Sequence, residues 1–351
     1  MNPAETNRLR GPLLRSVSRS FYLSLRILPG TVRDPLSLAY LLARAADTIA
    51  DTPVLPRELR IERLRDLAGA IQGDAPIETA VRIRDSFASL QSHEGERDLI
   101  QSLPAVLQWL QVSRESDRRE MREVLGKINQ GQILDLERFG GATLIRALST
   151  AVELDEYTYL VAGCVGEFWT RLCFNHIQNF CNRSELEMLA LSVEYGKGLQ
   201  LINILRDLGS DLRAGRCYLP ADELISLGVD PIEIRTKAGQ VEPVLRNWRE
   251  RAKTGLKSGV EYACAIQSRR TRFATALPAL IGAKTLSLLG EAGTDVFERT
   301  IKIPRAEVRK IMFSTALSFA SPTSLRRTFE RSNVINSPFR TQGAAVSEPP
   351  Y

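Results

Sequence analysis

Histidine is nearly missing from this chain, which has two, His93 and His176, in 351 residues. A Cys/His zinc site, or a catalytic dyad built on imidazole, has little to draw on. Cysteines number five, an odd count in a long chain; this argues against a secreted disulfide framework and fits reduced thiols. Cys173, His176 and Cys181 are close in sequence but match no zinc spacing. Uninterrupted apolar runs fall short of the ~18 residues a membrane-spanning helix requires. The early stretch FYLSLRILPG is too short and is broken by Arg26, so no signal peptide is indicated. Asn-Gly hairpin signals and fixed-period repeats are absent, and strand-like alternation is scarce. No Lys/Arg block or basic–aromatic interleaving suggests a nucleic-acid platform.

What is present is a large apolar complement, 44% of residues, with a net charge of +6 and a pI near 9.2. A mild, dispersed basic excess suits a phosphorylated small molecule. Apolar residues recur at three- and four-residue steps over most of the chain, so the expected class is all-α. A single helical domain is expected over residues 1–331, with a Ser/Pro/Gly/Asn-rich, disordered tail over 332–351. A helix start is expected near Pro35, and loops at 28–34, 52–59, 92–95, 182–185 and 213–222.

Two aspartate pairs interrupt apolar helical stretches. Asp47 and Asp51 lie in ARAADTIADT, and Asp207 and Asp211 in LQLINILRDLGSD. Residues four apart share a helix face, so each pair points one way. Carboxylates in an apolar helix must be paired, hydrogen-bonded or coordinated. Mg²⁺, a hard cation that retains waters and accepts phosphate oxygens, would relieve the repulsion within each pair. Arg44, Arg206, Arg213 and Arg216 flank the pairs; they suit phosphate, or serve simply as ion-pair partners of their neighbours. Gln200 and Asn203 fall on the Asp207 face and are expected to line a cavity.

The segments SRSFYLSLRILP, YLLARAADTIADT, YTYLVAGCVGEFW and GLQLINILRDLGSDLRAGRCYLP resemble the squalene/phytoene synthases, in the expected order over roughly residues 10–320. The resemblance implies an isoprenoid-synthase-type helical bundle around a central apolar cavity. It also implies Mg²⁺-dependent (with Mn²⁺ as a substitute) head-to-head joining of two prenyl diphosphates. On that likeness Asp47, Asp51, Asp207 and Asp211 bind metal, and Arg44, Arg206, Tyr40 and Tyr159 take part in catalysis. Ser18, Arg19, Phe21, Gln200 and Asn203, with both arginines, would bind substrate. The stretch IKIPRAEVRKIM resembles a basic segment near the reductant of squalene synthases, so Lys302, Arg305 and Asn203 are expected to contact NADPH; the alternative is a surface helix start at Pro304. A tyrosine frequent just before VAG is Leu160 here, which leaves the choice between Tyr157 and Tyr159 open.

The expected activity is squalene synthesis from two farnesyl diphosphates through presqualene diphosphate. The alternatives are a phytoene, dehydrosqualene or hydroxysqualene synthase without reductant, or a non-catalytic helical assembly protein. The expected location is the cytoplasm, with peripheral contact at the inner membrane face, because a thirty-carbon hydrocarbon must leave into lipid and basic charge suits an anionic bilayer.

Overall fold

The computed structural model describes residues 2–18, 21–141, 144–318 and 321–332. Arg19, the side chain of Phe21 and the expected tail from 333 onward lie outside the described residues; Ser332 closes a helix, Pro322–Ser332.

The site is built by α1 (Gly30–Ala50), α2 (Glu115–Phe139), α3 (Cys164–His176), α4 (Glu185–Arg213), α5 (Glu242–Ala265) and α6 (Arg269–Ala292). α1 starts earlier than Pro35 suggests. Pro29 precedes its first residue and Pro35 sits inside it, early enough that its missing N–H disturbs only one near-terminal carbonyl. α4 opens with a capping box: the Ser184 hydroxyl accepts from the Glu187 amide, and the Glu187 carboxylate accepts from the Ser184 amide at 3.0 Å.

α1 packs on α2, α3 on α4, and α4, α5 and α6 pack on one another. One core cluster gathers Leu38, Leu41, Leu42, Ile49 and Met121, all fully buried; a second gathers Cys217, Ala252, Leu256 and Ala283. The helix running from Arg269 to Phe297 is, contrary to the sequence reading, long and apolar enough to cross a bilayer. Its richest window is 67% buried inside the protein, as expected of a core helix. Its apolar residues are interspersed with Thr, Ser, Pro278 and Lys284, so no unbroken run announces it.

VAGCVG acquires a mechanical meaning where α3 crosses α4. A Cβ on Gly196 would stand 2.4 Å from the Ala162 carbonyl oxygen, and one on Gly166 2.2 Å from that of Ser192. On the other side of α4, a Cβ on Gly198 would lie 2.8 Å from the Gly255 Cα. Backbones touch at both crossings, which only glycine, lacking a Cβ, permits.

Among the described residues the sheet is one parallel pair, Arg146–Leu148 with Arg216–Pro220. The second strand falls where a loop is expected. Gly215, at φ +78°, turns the end of α4 into it, and the Arg146 amide donates to the Gly215 carbonyl at 2.9 Å.

Candidate active site

Both aspartate pairs stand at the C-terminal ends of their helices. α1 ends at Ala50 and Asp51 is its C-cap; Pro53, two residues on, helps stop the helix. Asp207 and Asp211 lie in the last turns of α4, which ends at Arg213. Unpaired carbonyls give such termini partial negative charge. Carboxylates placed there are poorly hosted until a cation arrives.

The titration behaviour agrees. Burial, reinforced by Asp51, lifts the Asp47 carboxyl to about 6 against the pull of Arg44 and Gln132. Burial, then Asp207, lifts Asp211 to about 7; Asp135 and Asp51 push the same way and Arg216 opposes. Asp51 still reaches water, yet the protein crowded around it raises its carboxyl against the pull of Arg216 and Arg44. Since Asp51 acts on Asp211 and Arg216 acts on both, the pairs on α1 and α4 share one electrostatic space. Among the described residues no three Asp, Glu, His or Cys side chains converge as a closed metal cage. Carboxylate pairs with open positions are the donor set that fits Mg²⁺, which keeps water and phosphate oxygens in its shell.

A recess of about 340 Å³ opens beside Asp47, lined also by Tyr40, Gln132, Tyr157 and Gln200. Leu36, Val161, Val165 and Gln200 are shared with an apolar cavity of about 310 Å³, which extends to Trp169, Tyr195, Tyr262 and Pro278. A polar head and a greasy chamber are thus continuous.

The structure brings together most of the residues expected from sequence. Arg44 reaches Asp47 at 3.5 Å and also pairs with Glu96. Arg206 grips the Asp207 carboxylate with two bonds of 3.1 and 2.5 Å. Asn203 donates to Gln200 at 3.2 Å, and both line the apolar cavity. Tyr40 lines the recess and donates to the Val17 carbonyl at 3.1 Å.

Others are placed elsewhere. The buried Ser18 hydroxyl donates back to the Leu14 carbonyl at 2.5 Å and lines neither cavity. Lys302 and Arg305 are exposed and also line neither. Arg213 turns away to the Glu298 carbonyl, 3.2 Å. Tyr159 is not among the residues lining the recess. Its hydroxyl accepts from Lys127 and donates to Glu167, each at 3.0 Å, on the far side of its helix from the recess. Tyr157, Val161 and Val165 recur every four residues through the π-helical turn Tyr159–Gly163 and share the inner face; Tyr159, two residues from Tyr157, falls on the outer one. The His176 ring nitrogen Nε2 meets the Asp117 Oδ1 at 2.7 Å, both side chains buried, so this histidine is occupied by a carboxylate.

Sequence reasoning missed Gln132, whose amide donates to Asp47, and Asp135 one turn on. Asp135 accepts from Arg216 at 3.0 Å and from Tyr218 at 2.5 Å. Tyr218 stacks on Tyr157 with centroids 5.0 Å apart. Gln and Asp at i and i+3 between apolar residues of α2 were the available signal.

The sequence profile of the family described as squalene/phytoene synthase matches residues 14–307. The squalene synthase ERG9 of Gibberella zeae is 27% identical over 303 residues, covering 86% of this chain and 62% of that protein. The presqualene diphosphate synthase of Rhodopseudomonas palustris is 28% identical over 227 residues, covering 64% of this chain and 66% of its own length. The chain therefore matches less than two thirds of either relative. A solved complex of TcSQS with a ligand superposes with a TM-score of 0.75 at 20% identity, over 94% of this chain and 90% of the other.

Proposed function

The chain belongs to the squalene/phytoene synthase family, a family of prenyltransferases, and on that premise we propose that it joins two farnesyl diphosphates head to head through presqualene diphosphate and, with NADPH, reduces the product to squalene. The observation that carries this reading is the approach of two acidic helix ends, one of whose aspartates, Asp47, lines a recess that shares its wall with a chamber apolar enough for prenyl chains.

Asp47, Asp51, Asp207 and Asp211 would hold Mg²⁺, or Mn²⁺ in its place; bound there, the ion stabilises negative charge on a departing diphosphate. Arg44, Arg206 and Arg216 stand beside these carboxylates, with guanidinium forks suited to phosphate oxygens. The Tyr157 ring lines the recess, and its hydroxyl, its pKa raised by burial and by Asp135, stays protonated beside Tyr218. Val161, Val165, Trp169 and Tyr262 line the space where an allylic cation would form and keep water from it. Gln200 marks the junction of head and chain, with Asn203 beside it in the apolar cavity.

Relatives named squalene synthase support the reductive ending. A relative named presqualene diphosphate synthase supports a second reading, in which the reaction stops at presqualene diphosphate or ends without hydride. The test is incubation of the purified protein with farnesyl diphosphate and Mg²⁺, with and without NADPH, followed by mass spectrometry of the products. Squalene formed only with NADPH supports the first reading. Presqualene diphosphate, or a hydrocarbon indifferent to NADPH, supports the second. No prenyl product from farnesyl or geranylgeranyl diphosphate sinks both.

A further inference from the structure

Arg216 is a long, fully charged side chain surrounded by carboxylates. It acts on Asp51, Asp135 and Asp211, and its guanidinium is only part-buried. Left to itself, such a group settles on whichever acid lies nearest. Here it is drawn to one side: its Nη1 donates to Asp135 Oδ2 at 3.0 Å. The other oxygen of Asp135 accepts from the buried Tyr218 hydroxyl at 2.5 Å. Tyr218 in turn lies at 21° to the Tyr157 ring, whose edge borders the recess with Asp47 and Gln132. Arg216 and Tyr218 are alternate residues of one strand, so their side chains leave it on the same face, toward the same carboxylate on α2.

We propose that Asp135 is a positioning residue: it holds Arg216 in the gap between the two acidic pairs, ready for a diphosphate, and keeps it from neutralising Asp51 or Asp211. Through Tyr218 the same carboxylate fixes the plane of Tyr157. This rests on the proposed function of the site, because the anion that Arg216 awaits is the substrate diphosphate. Both Asp135 oxygens are taken, by Arg216 and Tyr218, so its part is to position Arg216.

Asp135→Asn removes one negative charge from an anion-binding site; by field alone this would tighten anion binding. Loss of positioning does the reverse. Titration calorimetry of the full chain with inorganic pyrophosphate in the presence of Mg²⁺ separates the two. The expected result is roughly tenfold weaker binding in Asp135→Asn, as for loss of a charge-assisted hydrogen bond, with recovery toward wild type in Asp135→Glu. Tyr218→Phe leaves the charge unchanged and frees one side of the carboxylate; binding about two- to threefold weaker is expected there. It also serves if Asp135→Asn does not fold, which circular dichroism reports. Pyrophosphate binding equal to or tighter than wild type in the folded variants overturns the inference alone. Absence of pyrophosphate binding in the wild-type protein overturns the reading of the site, and this inference with it.

Discussion

The Gln132 side-chain amide, on α2, donates its hydrogen to Oδ1 of Asp47, on α1. A neutral partner steadies the carboxylate without cancelling its charge, so the acid remains available to a cation. Arg44, only 3.5 Å away and shared with Glu96, does not saturate it either.

Replacing Gln132 by Leu should lower kcat/KM for farnesyl diphosphate about tenfold, the scale of one hydrogen bond to a charged group. The Mg²⁺ concentration for half-maximal activity should rise as well. Steady-state kinetics across a Mg²⁺ series read both.

The raised carboxyls make stability depend on pH when metal is absent. A carboxyl near 7 in the folded protein and near the ordinary aspartate value of 3.8 when unfolded keeps its proton in the native state over that interval and loses it on unfolding. Its contribution is full at low pH and fades as pH rises toward 7. Wild-type Tm in chelator should therefore fall between pH 5 and 8 more steeply than that of Asp211→Asn, by roughly a few degrees. Mg²⁺ should raise Tm mainly at the alkaline end, because metal displaces those protons. Scanning calorimetry with and without Mg²⁺ checks the sign.

Tyr157 and Tyr159 should separate cleanly. Tyr157→Phe removes the hydroxyl of a ring that lines the recess and should lower kcat by about a hundredfold, within the range for a positioned proton donor. Tyr159→Phe should leave kcat within a few-fold of wild type and lower stability by about 1 kcal/mol, through loss of its bonds to Lys127 and Glu167. Rapid-quench kinetics and urea titration of both variants distinguish them.

Gly196→Ala should destabilise the protein by about 1–3 kcal/mol, because the new methyl meets a carbonyl oxygen at 2.4 Å and the crossing must open. Urea unfolding gives the loss. Gly239→Ala, where the added carbon meets nothing within 4 Å, is the matched control.

Some of this was readable from the chain and some was not, for physical reasons. The four aspartates proposed to hold metal stood out because paired acids contradict the apolar helices around them. Asn203 and Gln200 followed from helical steps along one element. Gln132 and Asp135 sit in a helix whose other positions carry many charges, among which two more polar residues look like a solvated face. Arg216 and Tyr218 lie after Gly215 in what reads as a loop; the short strand there forms only because Arg146–Leu148 arrives from a distant part of the sequence. The choice between Tyr157 and Tyr159 depended on which face of a π-distorted helix turns inward, and a regular 3.6-residue period does not report that.

The glycine contacts on both sides of α4 limit how the chamber could change. With α3 and α5 already at backbone distance from that helix, their shared wall has no slack to give. Outside those crossings the same chamber is lined by Leu25 and Leu28 and by Ala274, Thr275 and Pro278. Variants selected to accept a longer isoprenoid should accordingly accumulate their substitutions on that flank and spare the glycines.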